Sequence, residues 1–221
     1  MAEKPDWTAP WAAKKLREDD HVAAVKVTAP GRLEIERHDL PPVTVATLAV
    51  APLDHAALAK VLGQQPPPDF VVNLNSGASL TTEALHMSIN AQVPVGRMGD
   101  LLRALSMPNI RAYVEPETRF RERGLDQHSR VKDFERLDQQ RYWIERHGLP
   151  PLTVVFLNDY DLAGEAIRTA RAEYGEFDIV VASNPNGRVT EGALEVAEQL
   201  GCEIHSWGGF LSRLNRGRNE K

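Results

Sequence analysis

Residues 35–45 read IERHDLPPVTV, and residues 144–154 read IERHGLPPLTV. Nine of the eleven positions are identical, at an offset of 109 residues. The match continues outward from the phrase without a gap. DFVVNLNSGASLTTEAL (69–85) falls on DIVVASNPNGRVTEGAL (178–194), and AQVPVGRMGDLLRAL (91–105) falls on LGCEIHSWGGFLSRL (200–214). Upstream, Trp11, Leu16 and Val22 fall on Phe120, Leu125 and Val131. Across 9–105 against 118–214, 25 positions are identical, and many others exchange one apolar residue for another. A period this long indicates a duplicated domain rather than a solenoid repeat of roughly 20–50 residues. The reading is therefore two α/β domains, 9–105 and 118–214, joined by 106–117 and followed by a basic tail, 215–221. The short, proline-bearing joint predicts that the two repeats pack as a pseudo-dimer.

Each repeat opens with a helical stretch (PWAAKKLRED or ETRFRERGLDQH). Two runs of strand character follow, HVAAVKVT or RVKDFERL, then RLEIERH or RYWIERH with period-two alternation. The prolines of LPP interrupt the chain because proline lacks the donor that a ladder needs. The third run, VTVATLAV or LTVVFLND, is apolar on both faces, which predicts a central strand. Helix and strand then alternate, with Thr81 and Thr190 placed to cap the helices that follow them. The order is α-β-β-β-α-β-α-β-α, an α/β sandwich with a mixed sheet.

Composition narrows the class. Apolar content of 42% and charged content of 26% fit a soluble globular chain. No run of eighteen apolar residues and no signal-peptide pattern occurs, so the reading is cytoplasmic, without a membrane partner. Cys202 is the single cysteine, which excludes an internal disulfide. The net charge of −5 weighs against a nonspecific nucleic-acid coat, which draws its affinity from neutralising phosphates. A local basic face remains open: Arg146, with Arg213, Arg216 and Arg218 toward the tail, are the candidate phosphate contacts. Tyr142 and Trp143 read as core aromatics, with base stacking as the alternative.

The order α-β-β-β-α-β resembles the core of the PD-(D/E)xK nuclease superfamily. The back half, DIVVASNPNGRVTEGALEVAEQLGCEIHSWGGFLSRL, is similar to the end of Mrr-like restriction-endonuclease domains through Thr190, Ala193, Ala197, Ile204, Leu211 and Leu214. A BRCT domain ends in a similar way and is the competing match. The nuclease resemblance implies two acids and a lysine around a magnesium ion, with the acid-x-lysine element on the third strand. That strand holds neither an acid nor a lysine within it; Asp159 comes only at its end. The resemblance therefore implies a catalytically silent, nuclease-like protein that binds nucleic acid or a nuclease- or defence-type protein partner and needs no cofactor.

Two sets of residues carry the alternatives. In a strand, residues i and i+2 share a face, so Glu145 and His147 face together, as do Glu36 and His38. With Asp138 they spell D-x6-E-x-H, a pattern for a Mg²⁺- or Mn²⁺-dependent nuclease. The structural alternative gives Glu and His cross-strand ion pairs and a hydrogen bond to the LPP turn. The second set follows the fourth strand. Asn75, Ser76, Gly77, Ser79 and Thr81 in the first repeat, and Asn184, Asn186, Gly187, Arg188 and Thr190 in the second, could hold a ligand such as a nucleotide at a strand end. The same residues also make good turns. A protein–protein scaffold or small-ligand sensor is thus the reading from another class.

Overall fold

The computed structural model describes residues 7–75 and 79–217. Ser76, Gly77 and Arg218, singled out above, lie outside the described residues. The chain divides into two compact units, Met1–Arg119 and Phe120–Lys221. It is mixed α/β, with two five-stranded mixed sheets and, among the described residues, eight α-helices.

The first unit runs α1 (Thr8–Leu16), β1 (Val22–Ala29), β2 (Arg32–Arg37), β3 (Leu40–Leu48), α2 (His55–Leu62), β4 (Phe70–Asn73), α3 (Thr82–Ala91), β5 (Val95–Gly96) and α4 (Met98–Leu105). The second runs α5 (Pro116–Asp126), β6 (Val131–Arg136), β7 (Arg141–Arg146), β8 (Leu149–Leu157), β9 (Asp161–Leu162), α6 (Gly164–Tyr174), β10 (Ile179–Ala182), β11 (Arg188–Val189), α7 (Glu191–Leu200), β12 (Glu203–Ser206) and α8 (Trp207–Arg213). The order read from the sequence is present in each unit, and β9 and β11 are additions in the second. A 3-10 turn at Ile110–Ala112 and the first residues of α5 occupy the segment read as a linker.

The first sheet is ordered β1-β2-β3-β4-β5, with β1, β2 and β3 antiparallel in turn and β4 and β5 parallel to β3. The second is ordered β6-β7-β8-β10-β12 with the same directions. The third strand is central in both, which is why it is apolar on both faces. Val43 and Val45 of β3 face α1 and α4, while Ala46 faces α2 and α3. In β8, Leu152, Val154 and Phe156 pack with α5 and α8, and Val155 and Leu157 with α6 and α7.

Main-chain and side-chain bonds recur between the units at the 109-residue offset. Thr47 N donates to Gly31 O at 2.8 Å, and Phe156 N to Gln140 O at 2.9 Å. The Asp69 carboxylate accepts from Thr44 N at 2.8 Å, and that of Asp178 from Thr153 N at 2.9 Å. Thr81 and Thr190 cap α3 and α7 by accepting from Ala84 N and Ala193 N, as their sequence positions predict. The cores differ in filling. Tyr142, Phe156, Trp207 and Phe210 interlock in the second unit, where the first has Leu33, Thr47, Met98 and Leu101. Gly124 on α5 gives Trp207 its room, because a Cβ there would collide with the indole.

Candidate functional site

The doubled phrase lies on β2 and β7 and in the turns after them. Along β2, Leu33, Ile35 and Arg37 alternate inward, and Tyr142, Ile144 and Arg146 do the same along β7. The inward residue of IERH is thus the arginine. Arg37 is only 6% exposed and Arg146 only 3%. A buried guanidinium needs acceptors for its fixed fork of donors, and both side chains find the same ones. Arg37 donates from Nε to Pro41 O at 2.8 Å, and from Nη1 to Leu105 O at 3.1 Å and Met107 O at 2.6 Å. Arg146 donates from Nε to Pro150 O at 2.9 Å, and from Nη1 to Leu214 O at 3.1 Å and Arg216 O at 2.8 Å. Burial pushes both guanidinium pKa values down; Asp69 opposes this for Arg37, whereas Arg213 adds to it for Arg146.

This geometry corrects the sequence reading in two places. The hydrogen bond expected from histidine to the LPP turn is made by the arginine beside it. Arg146, expected to touch phosphate, is an internal strut with its donors on backbone carbonyls. Glu36, His38 and His147 are exposed and Glu145 is half-buried. Glu145 pairs with Lys132 Nζ at 2.6 Å, which raises the lysine pKa. Among the described residues, the side chains of Glu36, His38 and His147 make no ion pair or hydrogen bond.

Asp138 does not join Glu145 and His147. It is 2% exposed and closes the β6–β7 turn, with Oδ1 accepting from Gln140 N at 3.0 Å and Arg141 N at 2.7 Å, and Oδ2 from Arg141 Nε at 3.0 Å. Among the described residues, no group of three or more His, Cys, Asp or Glu side chains is arranged to hold a metal ion. The D-x6-E-x-H spelling is therefore a turn cap followed by an outward strand face. Tyr142 is fully buried, with its hydroxyl 3.2 Å from Glu122. Trp143 is half-buried on the outward face, across from Glu135 and Thr153.

The strand-end loops come together as the topology requires. Arg188 and Val189 of β11 pair with Asp161 and Leu162 of β9, so the loops after β8 and β10 run side by side. Gly187 lies so close that a Cβ would meet Asp159 O at 2.7 Å and Tyr160 O at 3.0 Å. Asn184 accepts from Asn186 N at 3.0 Å, and Arg188 pairs with Asp161 at 2.5 Å. Thr190 donates to Leu162 O at 2.9 Å while capping α7. In the first unit, Asn75 N donates to Asn73 Oδ1 at 3.2 Å, Ser79 O accepts from Leu53 N at 2.9 Å, and Thr81 caps α3. Much of the polar chemistry predicted here builds the loops. Tyr160 remains 66% exposed at their tip.

A network in the second unit escaped the sequence reading. Arg213 on α8 is 5% exposed and forks onto Glu203 of β12, from Nη2 to Oε1 at 2.7 Å and from Nε to Oε2 at 2.7 Å. His205 Nε2 donates to the same carboxylate at 2.7 Å. The first unit has Pro94, Gly96 and Ala104 at the matching positions. The Glu-x-His spacing of GCEIH was the available signal. Arg213 is thus a second internal arginine among the expected phosphate contacts. Arg216 is exposed, and its carbonyl accepts from Arg146 and Arg213.

No protein-family model matches the chain, and neither a curated protein nor a solved structure matches it. Among the described residues, no helix is long and apolar enough to cross a membrane.

Proposed function

We propose that the protein is an internally duplicated, restriction-endonuclease-like α/β protein without a nuclease site, and that it works by binding a protein partner. The observation that carries this reading is the third strand. The strand that the resemblance would give an acid and a lysine is packed with Val43, Val45 and Ala46 in β3, and with Leu152, Val154 and Phe156 in β8. The internal use of Arg146 and Arg213 favours a protein over nucleic acid as partner, because it removes two cations from the surface. Duplication is supported by the hydrogen bonds that recur 109 residues apart.

The test is a gel-shift and cleavage assay at low salt, using single- and double-stranded DNA and RNA with Mg²⁺, Mn²⁺ or chelator. No products and no shift are expected. Metal-dependent products that disappear in Glu145→Gln would overturn the reading. A shift without products that survives physiological salt would make nucleic acid the partner.

The loops beyond β8 and β10 favour a second reading, a small-ligand site. Gly187 allows two loops to approach at the carboxyl ends of parallel strands, where ligands bind in open sheets, and Tyr160 stands exposed beside them. A thermal shift with nucleotides that is lost in Tyr160→Ala would establish it.

A further inference from the structure

We propose that the outer edge of β1 is a self-association surface, on which β1 of a second copy of this chain pairs antiparallel across a two-fold axis through Val25. The inference rests on the edge strand alone and is independent of the nuclease-like reading.

An edge strand presents unpaired N–H and C=O groups, and natural sheets blunt such edges with charge, shortness or cover. β6, the matching edge of the second sheet, is blunted. It has six residues, of which Lys132, Asp133, Glu135 and Arg136 are charged. β1 has eight residues, VAAVKVTA, and Lys26 is its one charge. Its residues are largely exposed, with Val27 at 42%, and no strand among the described residues pairs on its outer side.

The register identifies the occupant. Between Ala24 and Val27 the pairing of β1 with β2 is regular, with Ala24 opposite Glu36 and Lys26 opposite Glu34. With Val25 on the two-fold axis, Val25 meets its own copy. Lys26 of the second copy then lies opposite Ala24, in the row that ends at Glu36. The two backbones are about 10 Å apart, two strand spacings. An extended lysine and a glutamate bridge that span over the methyl group of Ala24. Symmetry makes the bridge twice, as an isologous interface requires. The same register on β6 would set Asp133 against Glu135 of the second copy, and like charges directly opposite destabilise a sheet. The two matching positions, 24/26 and 133/135, thus differ in the respect that decides strand addition.

Sedimentation equilibrium of the full chain over a concentration series tests this. A two-chain species is expected. Ala24→Asp with Lys26→Glu writes the β6 pattern onto β1, and should weaken association about tenfold or more with the far-ultraviolet spectrum unchanged. Val25→Cys in a Cys202→Ala background should give a disulfide-linked two-chain species under mild oxidation, which decides the matter if the double variant fails to fold. A single-chain species at every concentration would overturn the proposal. So would association indifferent to Ala24→Asp/Lys26→Glu, or a Val25→Cys chain that stays uncross-linked while associated.

Discussion

Arg146 donates from Nη1 to the carbonyl oxygen of Leu214 at 3.1 Å, tying the second strand of its unit to the end of the closing helix. Arg37 and Leu105 repeat the contact at the same distance. The last carbonyls of a helix have no partner within it, and a cation there also meets the negative end of the helix dipole. One side chain therefore ends α4 or α8, holds the proline turn and fills an inward strand position. Replacing Arg37 or Arg146 with Met keeps volume but removes the donor to three carbonyls, of which only Arg216 O keeps another, from Arg213. A loss of roughly 2–4 kcal/mol is expected from each, read by chemical denaturation. Arg→Lys should recover only part, because one ammonium cannot span acceptors that a planar fork reaches.

The turn after each phrase carries a second prediction. Asp39 has φ 57 and Gly148 has φ 70 at the matching position. A left-handed conformation costs an L side chain and costs glycine nothing. A Cβ on Gly148 would meet no atom within 4 Å, so the difference is one of backbone conformation. Asp39→Gly should raise stability by about 0.5–1 kcal/mol, and Gly148→Asp should lower it by a similar amount. Equal and opposite shifts in thermal midpoint are the outcome to look for.

These two positions show what could be read in the sequence. The strand, the proline break and the turn follow from alternation and from the residue types at 35–42. The role of the arginine does not, because two of its three acceptors are 68 and 70 residues away, and an arginine next to Glu and His on a strand reads as polar. The available clue was parity: Arg37 lies two residues after Ile35, on the core side. Similarly, the caps at Thr81 and Thr190 are local and were legible. The fork of Arg213 on Glu203 depends on α8 packing against β12, and no local rule predicts it.

Glu203 supplies a pH dependence. Burial pushes its carboxyl pKa up, but hydrogen bonds from Arg213 and His205 outweigh this and hold it below the ordinary value. A carboxyl with a folded pKa below its unfolded one stabilises the protein above the unfolded pKa of about 4.3. That contribution is lost as pH falls through the lower, folded value. Arg146 lies within electrostatic reach of the same carboxylate and stays charged throughout. The acid limb of the stability curve should therefore be shallower in Glu203→Gln than in the wild-type chain below about pH 4. Identical limbs in pH-dependent urea denaturation would remove Glu203 from the account.

Asp138 separates a turn cap from a metal ligand. Its two oxygens accept three donors, from Gln140 N and from Arg141 N and Nε. Asp138→Ala should cost roughly 2–3 kcal/mol by leaving buried donors unmet. Asp138→Asn retains one oxygen for the two backbone donors and should cost about half as much. A metal ligand would behave differently, since an ion bound only by the folded chain adds stability by mass action. Mg²⁺ or Mn²⁺ should therefore leave the melting temperatures of wild type and Asp138→Ala equally unchanged. A rise confined to the wild type would mean that Asp138 turns out of its cap to meet the ion, restoring the D-x6-E-x-H reading.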